Sequence, residues 1–237
     1  MAISDKSSPA GAYDIGILGA ILSAVGILTA GPLVIPVVAL VQAQPPWTSP
    51  AVFVENFHRI QTLPFYFAFI LIGGSVLMLV SICLLSTKRA AALAGLVFVS
   101  IGAALASINY LIQTTFIPAA VSNYTTELAP VISVLSLSNP VSIVWAVEMW
   151  AYGFVGVGTW CAAGFFGAGR LERAGKALFI LNGVVSILGA LLVSIDLRGV
   201  FSSTGLIGYG VWNLLYFALA VVFYQVLQRR RIQGTID

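Results

Sequence analysis

The sequence predicts an all-α protein, a polytopic transmembrane bundle of six helices with both termini in the cytoplasm. Three observations lead there. Hydrophobic residues fill 59% of the 237 positions and charged residues only 8%, against about 25% charged in a soluble domain. The apolar residues fall in six runs, each reaching the roughly 20 residues that cross a hydrocarbon core. The basic residues collect in alternate connections between those runs, the signature of cytoplasmic loops. One membrane domain is expected over residues 1–237. A mean hydropathy of +1.02 excludes a soluble catalytic domain and a disordered chain. The net charge is only +3, and basic residues placed between apolar runs serve topology and anionic headgroups rather than nucleic acid.

The first run covers about residues 14–42. Its small residues Gly16, Gly19, Ser23, Gly26 and Ala30 form one stripe, which lets a neighbouring backbone approach closely. Gly31-Pro32 and Pro36 interrupt its outer third. Each proline leaves the carbonyl four residues earlier, Leu28 and Pro32, without its helical donor. Interrupted helices point to binding sites in transporters, and a plain proline kink is the commoner outcome. Val41-Gln42-Ala43 resembles a cleavage site, but the apolar stretch is about twice a signal-peptide core of 7–15 residues, so an uncleaved span is expected.

The second run, about 62–86, follows a connection holding Pro45, Pro46 and Pro50. The third, about 90–121, repeats the small stripe with Gly95, Gly102 and Ala106. A Ser- and Thr-rich connection leads to the fourth, about 140–167, and its Asn123-Tyr124-Thr125 is a glycosylation sequon only where the host glycosylates. The fifth, about 177–197, is the shortest and ends at Asp196 and Arg198, residues suited to an interface. The sixth, about 204–228, is closed by Arg229, Arg230 and Arg231, read as a stop-transfer clamp with anionic-lipid contact second. Nine basic residues (Lys6, Lys88, Arg89, Arg170, Arg173, Lys176 and Arg229–Arg231) fall on one side and Arg59 and Arg198 on the other. The positive-inside rule puts the nine in the cytoplasm. Cys83 and Cys161 lie in apolar runs with no CxxC spacing and read as packing residues.

Glu148 stands out as a lone carboxylate within the fourth run, flanked by Trp145, Trp150 and Tyr152. A carboxylate at such depth costs roughly 2.5–3.5 kcal/mol, so it needs a partner or a purpose. At 1.5 Å per residue from the outer interface, Glu148 and Gln113 lie about 12 Å deep, Asn213 about 14 Å and Asn109 about 18 Å. Asn109 and Gln113 share a helix face at i,i+4, as do Glu148 and Tyr152 with Gly156 and Thr159 beyond them. The candidate ligand-binding residues are therefore Glu148, Asn109, Gln113, Tyr152 and Asn213. Glu148 would be the charge or proton partner and the amides would orient the ligand. For Asn109, Gln113 and Asn213, hydrogen bonding within the bundle is the leading role.

Glu55 and His58 form an E-x-x-H pair that could place two metal ligands on one helix face. A di-metal bundle needs further carboxylates and a second histidine, and the chain has one histidine. A capping or headgroup-level role is expected instead, with no metal, no haem and no other cofactor. Trp47, Trp145, Trp150, Tyr209 and Trp212 read as an outer interfacial belt. No phosphate-binding glycine loop, G-x-S-x-G elbow or H-E-x-x-H is present, and no catalytic residue is assigned.

The segments Ile108–Gln113, Val147-Glu148-Met149-Trp150, Gly169–Arg173 and Leu181-Asn182-Gly183-Val184 together resemble bacterial six-span membrane proteins grouped only as a domain of unknown function. The resemblance covers about residues 10–230. It implies the cytoplasmic membrane of a prokaryote and implies no activity. The leading functional expectation is a non-enzymatic membrane protein that binds a small or amphipathic ligand in an outward-facing pocket, an arrangement also compatible with transport. An accessory subunit bound to membrane-protein partners is the alternative, and an enzyme using Glu148 as acid–base comes third. The bilayer is a partner in every case and nucleic acid in none.

Overall fold

Each predicted apolar run folds into one long helix. A computed structural model describes residues 9–233, and every regular element among them is helical. Lys6, counted above with the cytoplasmic charges, lies outside the described residues. The long helices are α1 (Ala10–Val41), α2 (Arg59–Leu85), α3 (Arg89–Ser122), α4 (Ile143–Ala162), α5 (Arg170–Ile195) and α6 (Ser203–Gln233). Five of them are long and apolar enough to cross a membrane. The exception, α4, is 20 residues long, but Glu148 and three tryptophans dilute its apolar run.

The helices close into a ring. Each packs on its neighbours in sequence, and α6 returns against α1. The surface is inverted relative to a soluble protein. Leu18, Val25, Leu192 and Leu214 face outward, whereas Ser23, Ser75, Asn109, Thr159 and Asn182 are buried. Lipid solvates the leucines, while polar groups must find partners inside.

Small residues set the spacing of the ring. A Cβ on Gly19 would come within 2.8 Å of the Gly74 carbonyl oxygen across the α1–α2 seam. One on Gly95 would come within 2.7 Å of the Gly158 carbonyl oxygen between α3 and α4. Between α4 and α5, a Cβ on Gly183 would lie 2.9 Å from the Gly156 carbonyl oxygen. The stripes predicted on α1 and α3 thus face helix backbones, which is how membrane helices gain packing without a hydrophobic driving force.

Each end of the ring has its own closure. At one end Arg230 pairs with Glu172 at 2.7 Å, donates to the Phe165 carbonyl at 3.1 Å and lies 4.2 Å over the Phe165 ring. Arg231 pairs with Asp14 at 2.7 Å. These contacts bring the start of α1, the α4–α5 turn and the end of α6 together, so Arg230 and Arg231 tie protein ends together. At the other end the short helices Pro50–Glu55 and Ala129–Leu135 form a cap. Phe53 and Ile132 are buried there against Ile117 and Ala120 of α3. His58 caps the first turn of α2: its Nδ1 accepts from the Ile60 amide at 3.3 Å, and Gln61 Oε1 accepts from the His58 amide at 3.1 Å.

Gly73 and Gly74 test the seam side by side. A Cβ on Gly74 would lie 2.5 Å from the Ser23 amide nitrogen, whereas nothing lies within 4 Å of one on Gly73. Gly74→Leu is expected to lower stability by about 1–3 kcal/mol through overpacking, and Gly73→Leu to leave it near wild type. Thermal unfolding in lipid-free detergent measures both, and equal losses would show that the α1–α2 approach does not limit stability.

Candidate functional site

Glu148 points into the ring from the second turn of α4. Asn109 Nδ2 donates to its Oε2 at 2.6 Å, and the Tyr110 hydroxyl donates to its Oε1 at 2.6 Å. Asn109 also donates to the Val144 carbonyl at 3.2 Å, so one amide fixes α3 against both the backbone and the carboxylate of α4. The Tyr110 proton is committed to Glu148, so the Tyr152 hydroxyl, 2.6 Å away, donates to Tyr110. Two phenols and a carboxylate form one directed chain. Asn109 and Tyr110 are fully buried, while Glu148 and Tyr152 are half-buried. The carboxylate has a charge-assisted partner on each oxygen, which offsets its removal from water.

Tyr110 was not among the sequence candidates. Its position offered a signal, since a tyrosine in mid-span rather than at an interface needs a hydroxyl partner. It is held by Phe65, stacked at 5.9 Å, and by Phe69, edge-on at 5.7 Å. Gln113 joins the network by a different route. Its Nε2 donates to Leu135 O at 2.8 Å and its Oε1 accepts from the Leu137 amide at 3.1 Å, so it staples α3 to the cap. Its contact with Asn109 Oδ1 is 3.5 Å. Trp145 reaches the turn that follows this cap helix, donating to the Leu137 carbonyl at 2.7 Å.

A second polar layer lies behind Tyr152. The Trp212 ring meets Tyr152 edge-on at 4.7 Å, and its Nε1 donates to Asn182 Oδ1 at 3.2 Å and Ser186 Oγ at 3.1 Å. Asn182 Nδ2 donates to Thr159 Oγ1 at 3.0 Å. Trp212 therefore belongs to the interior rather than to the interfacial belt expected from sequence. Its ring also packs on Tyr216 at 5.5 Å, whose hydroxyl is 2.5 Å from Ser75 Oγ. Ser75 gives its proton to the Leu71 carbonyl at 2.7 Å, so Tyr216 donates to Ser75.

Asn213, the fifth predicted residue, faces elsewhere. Its Nδ2 donates to the Tyr209 carbonyl at 2.7 Å, and its Oδ1 lies against Gly31 of α1. A Cβ on Gly31 would stand 2.7 Å from both Asn213 Oδ1 and the Tyr209 hydroxyl. The structure thus brings Asn109, Gln113, Glu148 and Tyr152 together and places Asn213 one helix interface away.

Two π-helical segments flank these residues, Thr29–Leu33 with Gly31 and Ile112–Phe116 with Gln113. Pro32 lies inside the first, and Pro118 follows the second. A widened turn absorbs the missing proline donor, and such bulges recur at functional sites. Two open surface grooves lie nearby. One of about 660 Å³ opens between α1, α2 and α3, and one of about 340 Å³ opens between α2 and α3 nearer the cap. Neither includes Glu148, although Phe69 forms a wall of the larger one and touches Tyr110. Chemically, the network presents one carboxylate with phenol and amide donors, a set suited to holding a proton or one cationic group.

No family model matches the chain, and no curated protein or solved structure matches it either.

Removing the Tyr110 hydroxyl strips one donor from Glu148 and the acceptor from Tyr152. Tyr110→Phe is expected to cost about 1–3 kcal/mol, the penalty of leaving a buried polar group unsatisfied. Tyr66→Phe, at an exposed tyrosine, should stay within about 0.5 kcal/mol of wild type once lipid is removed. Chemical or thermal unfolding of the two variants in detergent compares them, and equal effects would mean that the Glu148 network adds no stability.

Proposed function

We propose that this membrane protein crosses the bilayer six times, keeps both termini in the cytoplasm and binds a small or amphipathic ligand reached from the outer side, for transport. The observation that carries the reading is the state of Glu148. It is held by two donors inside the ring, and only a minor part of its surface stays exposed. Intramembrane carboxylates are functional by default because a purely structural one is costly. Glu148 serves as the charge or proton partner. Tyr110 and Asn109 set its direction, Tyr152 extends the chain, and Gln113 links the site to the cap. The two π segments supply the compliance that lets a ligand displace this bonding. Their positions at Gly31 and Gln113 support that role.

Several features support the topology. Asp14 and Arg231 meet, so the first and last long helices start and finish at one end, as an even number of crossings requires. That end also carries Arg170, Arg173 and Lys176 beside the α4–α5 turn, the bias expected of a cytoplasmic face. The resemblance to bacterial six-span proteins suggests a prokaryotic cytoplasmic membrane.

Native mass spectrometry of the gently extracted chain tests the ligand. Wild type is expected to carry a bound small molecule that Glu148→Gln loses at unchanged fold, and a mass retained by that variant would overturn the assignment. Isolation only in fixed stoichiometry with other proteins, with no bound small molecule, would favour the subunit role instead. For topology, single cysteines are placed at Asn123 and Gly169 in a chain lacking Cys83 and Cys161. A membrane-impermeant maleimide should label Asn123→Cys in intact cells and Gly169→Cys only after permeabilisation. The reverse pattern would overturn the orientation.

A further inference from the structure

The α2–α3 seam carries two unassigned features in line with each other. Helices α2 and α3 pack less extensively than α1 with α2 or α3 with α4, and both cavities open along their junction. The groove of about 340 Å³ lies at the capped end and has Arg59, Tyr66 and Thr115 among its lining residues. Arg59 is exposed and forms no ion pair among the described residues. One helical turn further along α2, the cavity of about 660 Å³ begins, with Phe69, Gly73 and Ala104 on its walls. From Tyr66 to Leu77, where this groove ends on α2, the helix rises about 16 Å, most of the length of an extended acyl chain.

A guanidinium and hydroxyls at the bilayer surface, continued by an apolar groove toward the midplane, match a molecule with an anionic head and a hydrocarbon tail. We propose that this seam binds a single phospholipid, with its phosphodiester at Arg59, Tyr66 and Thr115 and one acyl chain along Phe69, Gly73 and Ala104. Arginine suits the head because its planar donors match phosphate oxygens in pairs. Gly73 suits the chain, because a side chain there would stand in open space that the lipid fills. The site is independent of the ligand reading at Glu148.

The test uses the full chain, stripped of lipid in a neutral detergent and titrated with dimyristoyl phosphatidylglycerol. Native mass spectrometry counts bound lipid and thermal unfolding reports stabilisation. Wild type is expected to retain one lipid. Arg59→Gln should weaken retention about tenfold, the loss of one charge-assisted contact, and Arg59→Lys should recover part of it. Gly73→Leu extends a side chain into the groove from a position whose Cβ has nothing within 4 Å, and it should weaken retention while leaving the apo midpoint unchanged. Glu148→Gln should leave lipid retention intact, which separates this site from the one in the ring. Equal retention by wild type, Arg59→Gln and Gly73→Leu would reduce the bound lipid to an unspecific annulus and overturn the proposal. Competition and equal stabilisation by inorganic phosphate would overturn it as well, by showing a free-anion site with no role for the chain.

Discussion

The hydrogen bonds from Asn109 and Tyr110 to Glu148 set the register on which the ring is built. A carboxylate among apolar helices must meet its donors or be expelled, so α3 and α4 can slide very little past one another. Stepping by seven residues from that contact leads along one line. Asn109 faces Glu148, Gly102 faces Val155 and Gly95 faces Ala162. Seven residues are two helical turns, so both helices present the same face at each step. A slip of one residue would bring side chains against backbone where only glycine fits and would separate the carboxylate from both donors. Polar matching and steric matching therefore select the same antiparallel alignment, the mutual support expected of a sequence with one dominant structure.

Much of this was legible before any coordinates, and the misses share a cause. Hydropathy located all six long helices to within a few residues at most ends, and α5 alone begins well before its predicted start at about 177. Amphipathic residues between Arg170 and Lys176 continue that helix beyond its apolar run. Depth was also readable, because distance along a helix is linear in residue number. Gln113, Asn109 and Glu148 do meet. Direction around the helix was less readable. In a helix that is apolar on nearly every side, hydropathy does not mark an inner face, and a π turn shifts the phase of everything beyond it. Asn213 shows the result: its depth was close, but it faces Gly31 of α1 rather than Glu148.

Residues with two characters are hard to read for a related reason. Tyr110 and Trp212 count as apolar or interfacial in a hydropathy scan, yet each supplies the donor that closes a polar network. The cap escaped notice altogether. Pro50–Glu55 and Ala129–Leu135 are too short to register as spans, and their mutual core of Phe53 and Ile132 forms only when two distant connections meet. Gln113 links that cap to the ring interior through Leu135 and Leu137. Its 3.5 Å contact with Asn109, one helical turn away, continues that link toward the carboxylate.

The one long helix that is not apolar enough to count as a span finds its polar partners on the helix made immediately before it, which bears on how the chain is assembled. Synthesis proceeds from the N-terminus, so Asn109 and Tyr110 exist in α3 before Glu148 leaves the ribosome. A helix that hydropathy alone would retain poorly can pack against a waiting neighbour, as half of a hairpin, with its carboxylate already claimed. Ring closure comes at the opposite end of the timetable, since α6 is the last to arrive and Arg231 must then return to Asp14. Early pairing protects the costly charge, and late pairing seals the circle.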